Sequence, residues 1–174
     1  RRGGKGRLGM STKEEDFVEQ LFVASTHDYL LFFTNKGQVF RKKVFELPQA
    51  GPTGKGKAAI NLLPLRDGET ICACLNVPKE SENKYIYLCT ERGVAKKTPM
   101  LDCAKIRVTG LRVITLDEGD SVISVQLTNG NQELFFATRD GMGLRVNEKT
   151  LRPMGRQARG VRGVRIRKGD RVVS

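Results

Sequence analysis

The residues of this chain with the clearest capacity for chemistry are its cations, which are clustered. The sequence has 31 lysines and arginines against 19 acidic residues, giving a net charge of +12 over 174 residues. Residues 1–7, 36–57 and 152–174 contribute net charges of +4, +5 and +7, so the remaining residues together carry −4. Because the excess is confined to patches, we expect a polyanionic partner: DNA, RNA or an anionic membrane surface.

The first cluster consists of the six opening residues, three cations and three glycines: Arg1, Arg2, Gly3, Gly4, Lys5 and Gly6. None of these side chains can pack into a core. Glycine lets the backbone approach a partner closely, and the cations can pair with negative charge. The cluster is therefore a candidate anion-binding segment, although a solvated terminus has the same composition.

Residues 51–57 fit the G-x-x-x-x-G-K skeleton of a phosphate-binding loop. Ala58 stands where that loop needs Ser or Thr to hold magnesium, and the following residues read as a strand instead of a helix. We interpret the segment as a flexible basic loop and predict no bound cofactor.

The chain has one histidine, His27, close to Ser25 and Asp28. Residues this close along a tight connection cannot easily converge as a catalytic triad, so we interpret them as a turn. Nothing else in the sequence resembles an active site. We therefore expect this chain to have no enzymatic activity of its own.

The four cysteines, Cys72, Cys74, Cys89 and Cys103, form no C-x-x-C pair. A zinc site is not predicted, because only one histidine is available to complete it. We interpret all four as small core residues of a reduced, cytoplasmic protein. No apolar run approaches the ~20 residues of a membrane span, and there is no signal-peptide pattern.

Two markers repeat along the chain with a period of about 50 residues. The pattern apolar-Thr-x-x-Gly places glycines at 37, 93 and 141, and a Gly-acid pair begins at 68, 119 and 169. The repeat divides the chain into units of approximately 15–67, 68–118 and 119–169. Residues 1–7 precede the first unit as a basic box, and residues 170–174 begin a further unit.

Each unit reads as four short antiparallel strands. In the first unit we predict strands near 18–25, 29–34, 38–45 and 58–65, with a glycine-containing hairpin turn between the second and third. The second strands are apolar at consecutive positions, which indicates burial on both faces. No helical periodicity is present.

The predicted fold is all-β, with propeller-like blades of four strands. The absence of tryptophan excludes a standard WD repeat. About three blades are too few for a closed ring of ~4–8, so the single domain over residues 1–174 forms an open arc or part of a larger ring. Because the first residue is Arg, we expect the chain to be a piece of a longer protein.

Cations recur at equivalent places in successive units, after each hairpin turn and again near the end of the chain. Few aromatic residues are interleaved with them, which favours duplex phosphates over a base-stacking platform. The candidate DNA-binding residues are Arg1, Arg2, Gly3, Gly4, Lys5, Gly6, Arg7, Lys36, Arg41, Lys42, Lys43, Lys55, Lys57, Arg92, Lys96, Lys97, Arg145, Arg156, Arg159, Arg162 and Arg165.

The opening box resembles the Q-R-R-G-G-K-G motif of the C-terminal domain of the DNA gyrase A protein, without its leading Gln. The resemblance continues through residues 26–28, 31–34, 47–48, 61–63 and 151–156 and covers essentially the whole chain. The box is specific to gyrase, since the related topoisomerase IV protein lacks an intact one.

The resemblance implies a β-pinwheel, a propeller-like disc in which each blade takes one strand from a neighbouring unit. It also implies a basic edge that wraps duplex DNA, with the box setting a positive wrap so that the holoenzyme introduces negative supercoils. The implied partners are duplex DNA, the remainder of the gyrase A protein and the gyrase B protein in an A2B2 assembly, in the bacterial cytoplasm. The family has about six blades, and its catalytic Tyr and its ATPase lie elsewhere.

Three other functions remain open. A topoisomerase IV domain shares the blades but not the box. A propeller-type protein-interaction scaffold would bind almost independently of salt through an exposed apolar patch. An RNA-binding module would prefer RNA to duplex DNA in direct competition.

Overall fold

The computed structural model describes residues 21, 23–51, 54, 56–58, 61–78 and 81–174. Within these residues the chain forms strands and short 3-10 turns but no α-helix. The ten strands are β1 (Tyr29–Thr34), β2 (Gln38–Lys43), β3 (Ile71–Val77), β4 (Tyr85–Thr90), β5 (Val94–Pro99), β6 (Leu111–Arg112), β7 (Val122–Thr128), β8 (Glu133–Ala137), β9 (Gly143–Asn147) and β10 (Val161–Arg162).

The strands form three antiparallel sheets. Sheet one has the order β3-β1-β2-β6, sheet two the order β10-β5-β4-β7, and sheet three consists of β8 and β9. Strand β6 follows β5 of sheet two along the chain but pairs with β2 of sheet one, and β10 follows sheet three but pairs with β5. The exchange of strands between neighbouring units is therefore confirmed, as is the all-β fold.

The predicted strand 58–65 is wrong, and the predicted strand 18–25 is not found in its described residues. In the described part of 58–65 the chain forms a short turn, and the fourth strand of sheet one comes instead from the next unit as β6. Of the predicted strand 18–25, residues 18–20 and 22 lie outside the described residues, and residues 21 and 23–25 are not in a strand. Strand β3 lies beyond the predicted unit boundary at 67–68 but pairs with β1, so sheet one spans that boundary.

The Thr-x-x-Gly marker forms the hairpin turn of each sheet, as predicted. Gly37, Gly93 and Gly141 have φ of 74°, 83° and 85°, values that favour glycine because a Cβ would clash. The threonine hydroxyl accepts a hydrogen bond from the amide four residues later, as in Val94 N to Thr90 Oγ1 at 3.0 Å. This bond tightens the start of the second strand.

The Gly-acid marker meets the hairpin turn in space. The Thr34 hydroxyl donates to Glu69 Oε1 at 2.6 Å, and both side chains are buried. In sheet two, Asp120 Oδ1 accepts a hydrogen bond from the amide of Arg92 at 3.1 Å. The same bond, at 3.1 Å, joins Asp170 to the turn of sheet three. The two markers therefore repeat with the same period because the acidic residue of the second marker forms a hydrogen bond with the hairpin turn of the first.

The cores lie between successive sheets. Leu31 and Phe33 of sheet one pack with Ile86 and Leu88 of sheet two, and a second cluster joins Tyr87 to sheet three. Burial on both faces is confirmed for β1 and β4. The same prediction of burial on both faces is wrong for β8, where Phe135 is 66% exposed. In the described part of the chain no helix is long and apolar enough to cross a membrane.

Candidate nucleic-acid interface

Two crossover segments, residues 104–117 and 152–166, carry the chain to the outermost strands β6 and β10. The opposite edges of sheets one and two, β3 and β7, contact each other, so β6 and β10 lie away from that contact. We call these two segments together the crossover rim. A glycine precedes the outermost strand in each: Gly110, with φ of 87°, and Gly160, with φ of 89°.

Close packing fixes these two glycines. A Cβ on Gly110 would lie 2.7 Å from Cε1 of Phe40, and a Cβ on Gly160 would lie 2.7 Å from the carbonyl oxygen of Ala95. Each crossover segment therefore approaches the sheet that it joins as closely as its backbone permits. The strands that follow these glycines, β6 and β10, pair with β2 and β5 respectively.

Arg112 and Arg162 occupy equivalent positions on β6 and β10. Each is the second residue after the glycine, and each is exposed. Among the described residues, neither forms an ion pair, and the same holds for the exposed Arg165. These guanidinium groups can therefore bind phosphate without first breaking an internal ion pair of the described chain.

The two crossover segments are bonded to each other. The amide of Thr115 donates to the carbonyl of Ala158 at 3.3 Å, and its hydroxyl donates to the carbonyl of Gln157 at 2.8 Å. Arg159 forms an exposed ion pair with Asp117 at 3.0 Å. The crossover rim is thus a continuous surface that runs across two sheets.

The predicted cations of β2 lie beside this surface. Arg41 is exposed, donates from Nη1 to the carbonyl of Ala104 at 3.0 Å and stacks over the ring of Tyr29. Lys43 is exposed with its ammonium 5.3 Å from the ring centroid of Phe45, and Lys42 is half-buried.

The predicted cations of the hairpin turns are also exposed. Lys36 lines a surface groove together with Arg66 and Arg112. Arg92 donates from Nη1 to the carbonyl of Glu118 at 2.9 Å, so part of its donor capacity is used within the fold.

Lys96 and Lys97 are buried, with exposed fractions of 0% and 4%. The ammonium of Lys96 donates to the carbonyls of Val113 and Arg156, and that of Lys97 donates to the carbonyl of Glu148 at 2.7 Å. A side chain enclosed in this way cannot reach a phosphate. The proposed interface therefore omits both, in correction of the sequence-based assignment.

The other predicted DNA-binding residues differ in their exposure. Arg145 is exposed on β9 and pairs with Glu133 at 3.5 Å. Arg156 is half-buried, and Lys57 is exposed. Lys55 and the whole opening box, residues 1–7, lie outside the described residues.

Burial changes the chemistry of the enclosed groups. It lowers the pKa of Lys96 to about 8, with a smaller contribution from the nearby cation of Arg156. Burial also raises the pKa of Cys72, Cys74 and Cys103 to about 11 and that of Cys89 to about 12, so these thiols are poor nucleophiles. No disulfide joins the four cysteines.

His27 lies in a turn, as predicted. Its amide donates to the hydroxyl oxygen of Ser25 at 3.3 Å, and the amide of Ser25 donates to Asp28 at 2.9 Å. Among the described residues there is also no group of three or more His, Cys, Asp or Glu side chains that could hold a metal ion.

Sequence reasoning missed three exposed cations of the first crossover segment: Lys105, Arg107 and Arg112. A signal was available, because Gly110-Leu111-Arg112 matches Gly160-Val161-Arg162 at a spacing of 50 residues. That spacing is the period of the two markers.

The chain matches the family described as DNA gyrase C-terminal domain, beta-propeller, over residues 1–25, 28–78, 84–129 and 132–174. It is 44% identical to the DNA gyrase A protein of Halalkalibacterium halodurans over 94% of this chain and 20% of that protein. It is 41% identical to the corresponding protein of Escherichia coli K12 over 100% of this chain and 20% of that protein. The chain thus spans about a fifth of the length of these curated relatives.

Solved structures have the same fold. The C-terminal domain of DNA topoisomerase IV aligns with a TM-score of 0.85 and 32% identity, covering 95% of this chain and 52% of that one. The DNA gyrase A C-terminal domain aligns with a TM-score of 0.70 over 87% of this chain and 48% of that one; at 24% identity it supports the fold alone. Because the family match covers nearly every residue and extends across all three sheets, the chain belongs to the DNA gyrase C-terminal domain, beta-propeller, family.

Proposed function

We propose that this chain binds duplex DNA along the crossover rim and wraps it, so that the parent enzyme introduces negative supercoils. The observation that carries the proposal is the equivalent placement of Arg112 and Arg162 on the outermost strands of two adjacent sheets. Both are exposed and neither is ion-paired within the described residues. Repetition of a cation at one structural position provides regularly placed partners for a regularly charged polymer.

Phosphate contacts dominate the binding in this proposal. The crossover rim presents charge but no element suited to entering a groove, so recognition is largely independent of sequence. Arg41, Lys43 and Lys36 extend the charged surface on sheet one, and Arg159 and Arg165 extend it on the second crossover segment. If about six phosphates are neutralised, the logarithm of the binding constant falls with log salt at a slope near −5.

Many weak contacts suit wrapping better than one strong contact. Bending duplex DNA smoothly costs on the order of 1–6 kcal/mol for a site of 20–30 base pairs. A single cation cannot offset that cost, whereas a row of cations across successive sheets distributes it. The opening box, Arg1 to Gly6, would add a further cluster and set the handedness of the wrap.

The proposed assembly is a gyrase-type enzyme in the cytoplasm, in which the remainder of the gyrase A protein and the gyrase B protein supply DNA cleavage and ATP hydrolysis. This chain would contribute no catalytic residue and no cofactor site. A topoisomerase IV role is the second candidate, supported by the 0.85 TM-score of that enzyme's C-terminal domain. The opening box favours gyrase.

The experiment relaxes a closed plasmid with a topoisomerase I in the presence of this chain and then separates the topoisomers. We expect trapped positive writhe, and its loss when residues 1–6 are replaced by alanine. Tight binding with unchanged topology would overturn wrapping but not DNA binding. Positive writhe that persists in the alanine variant would contradict the role of the opening box in setting the handedness of the wrap.

Two controls separate the other candidate functions. Competition with double-stranded RNA of equal length should leave the DNA complex intact, and displacement at equimolar RNA would indicate an RNA-binding module. The binding constant should fall steeply between about 50 and 200 mM salt. Salt-independent association would instead indicate a protein-interaction scaffold.

A further inference from the structure

Lys96 occupies a strand position that is apolar in the other two sheets. The register places it opposite Leu88, and the equivalent residues are Phe40 in sheet one and Leu144 in sheet three. Phe40 packs closely against Gly110, so an apolar side chain can fill this position in place of a cation. A buried cation costs free energy unless it is well bonded, and a specific role is needed to account for it.

The ammonium of Lys96 joins the two crossover segments. It donates to the carbonyl of Val113 at 2.6 Å and to that of Arg156 at 2.5 Å. Val113 directly follows β6 in the first segment, and Arg156 lies in the second. Resting on the proposed function, we propose that Lys96 is a positioning residue of the crossover rim: it fixes the spacing of the two segments so that Arg112 and Arg156 meet phosphates of one duplex.

The groups around Lys96 link this position to DNA. Asp102 and Cys103 approach it from the 3-10 turn after β5 and raise its pKa, whereas Arg156 lowers it. Burial is the largest influence and sets the pKa at about 8. A phosphate bound at Arg156 offsets the repulsion between the two cations, so the pKa of Lys96 is higher in the complex than in the free chain.

The pKa difference of Lys96 between the complex and the free chain determines how DNA affinity changes with pH. Because the pKa is higher in the complex, binding takes up part of a proton at a pH near or above 8. The contribution of Lys96 to affinity is fully present below the pKa of the free chain and is lost as the pH rises through the pKa of the complex. Affinity should therefore fall between pH 7.5 and 9.5.

Lys97 provides a matched control on the adjacent residue. It is also buried, but its ammonium donates to the carbonyl of Glu148 and lies 5.2 Å from the ring centroid of Tyr85. The ammonium therefore attaches sheet three to sheet two and donates to neither crossover segment. The backbone carbonyl of Lys97 accepts a hydrogen bond from the Met154 amide of the second segment at 2.7 Å, but a substitution of the side chain retains that bond.

The experiment compares the parent chain with Lys96→Leu and Lys97→Leu. Lys96→Leu introduces an apolar residue at a position where sheet one buries Phe40, so a folded variant is expected. Binding to a 30-base-pair duplex and trapped plasmid writhe are measured from pH 7.5 to 9.5, with proton uptake determined by calorimetry in two buffers. We expect the parent to lose roughly fivefold in affinity over this range. Lys96→Leu should show no proton uptake, a flat profile and less writhe per bound chain.

Three outcomes would overturn the proposal. The first is a Lys96→Leu variant with the pH profile and writhe of the parent. The second is a Lys97→Leu variant that loses the pH dependence and the writhe as much as Lys96→Leu does. That result would indicate that either substitution loosens the whole fold. The third is an unchanged hydrogen-exchange rate for the Thr115 amide in DNA-free Lys96→Leu, because that amide bonds to Ala158 across the two segments.

The hydrogen-exchange measurement uses no DNA and separates the two proposals. If the parent binds no duplex, the proposed function fails, and faster exchange at Thr115 in Lys96→Leu would still support the positioning role. If the parent wraps DNA and exchange at Thr115 is unchanged by the substitution, only the positioning role fails.

Discussion

Arg41 and Lys97 have the same register position in sheets one and two, yet Arg41 is exposed and Lys97 is buried. The difference arises from the neighbouring sheet. Glu148 and the turn after β9 cover Lys97, whereas the described residues leave Arg41 at the surface. A strand's own sequence does not encode what covers it, so the recurrence of cations was predicted correctly and their burial was not.

The depressed pKa of Lys96 predicts a pH dependence of stability. Its pKa is about 8 in the folded chain against 10.5 for an ordinary lysine. Between these values the unfolded chain binds more protons, so the contribution of Lys96 to the free energy of unfolding rises with pH. Urea unfolding of the parent and of Lys96→Leu should show the parent gaining relative stability from pH 8 to 10. A constant difference would contradict the pKa assignment.

The bond between Thr34 and Glu69 predicts a measurable loss of stability. Thr34→Val removes the 2.6 Å hydrogen bond and leaves a buried carboxylate oxygen without it. We expect the free energy of unfolding in urea to fall by about 1–3 kcal/mol. Thr109→Val, at an exposed position, is the control and should change it by less than about 0.5 kcal/mol. Equal effects at the two positions would argue against a buried cap.

At the scale of elements, hairpins were predictable and exchanged strands were not. The hairpins β1-β2 and β4-β5 combine consecutive apolar residues with a Thr-x-x-Gly turn, and both signals are local. Strands β6 and β10 have only two residues each, too few to show any periodicity. Their partners lie more than 60 residues away, so the sequence indicates them only through the repeated glycine at 110 and 160.

Close packing at the crossover glycines predicts different costs for one substitution. Gly160→Ala forces a Cβ to 2.7 Å from a backbone oxygen at positive φ, whereas at Gly141 the φ is similar and nothing lies within 4 Å. Both variants should lose about 1–2 kcal/mol from backbone strain. Gly160→Ala should lose at least about 1 kcal/mol more from the clash. Chemical denaturation checks this, and equal losses would show that the segment can move away.

At the scale of the whole molecule, part of the charge segregation visible in the sequence lies on one surface of the described residues, the crossover rim. The net +7 of residues 152–174 lies largely on the second crossover segment, and the first segment adds Lys105, Arg107 and Arg112. The opening box, outside the described residues, remains a prediction from sequence. The surface could be anticipated as basic, but its continuity depends on bonds such as Thr115 to Gln157 that join distant residues.

The crossover rim predicts a change in salt dependence. Each phosphate contact contributes about −0.9 to the slope of log affinity against log salt. The double variant Arg112→Ala/Arg162→Ala should therefore reduce the slope by roughly 2. The matched double variant Arg139→Ala/Arg171→Ala removes two arginines that are ion-paired within the chain and should change it little. A fluorescence anisotropy titration from 50 to 200 mM salt distinguishes them, and equal slopes would remove the rim from the interface.

The exchange of β6 also affects how the chain is made. Strand β2 ends at Lys43, but the strand that closes its outer edge is not synthesised until Leu111 and Arg112. At about 5–20 residues per second, a ribosome needs roughly 3–14 s to add the intervening residues. During that interval the nascent hairpin has an unpaired edge, which is the kind of surface that recruits other strands. Sheets one and two are therefore completed only after the following unit has been synthesised. Mispairing of their open edges is favoured more during synthesis than during refolding of the whole chain.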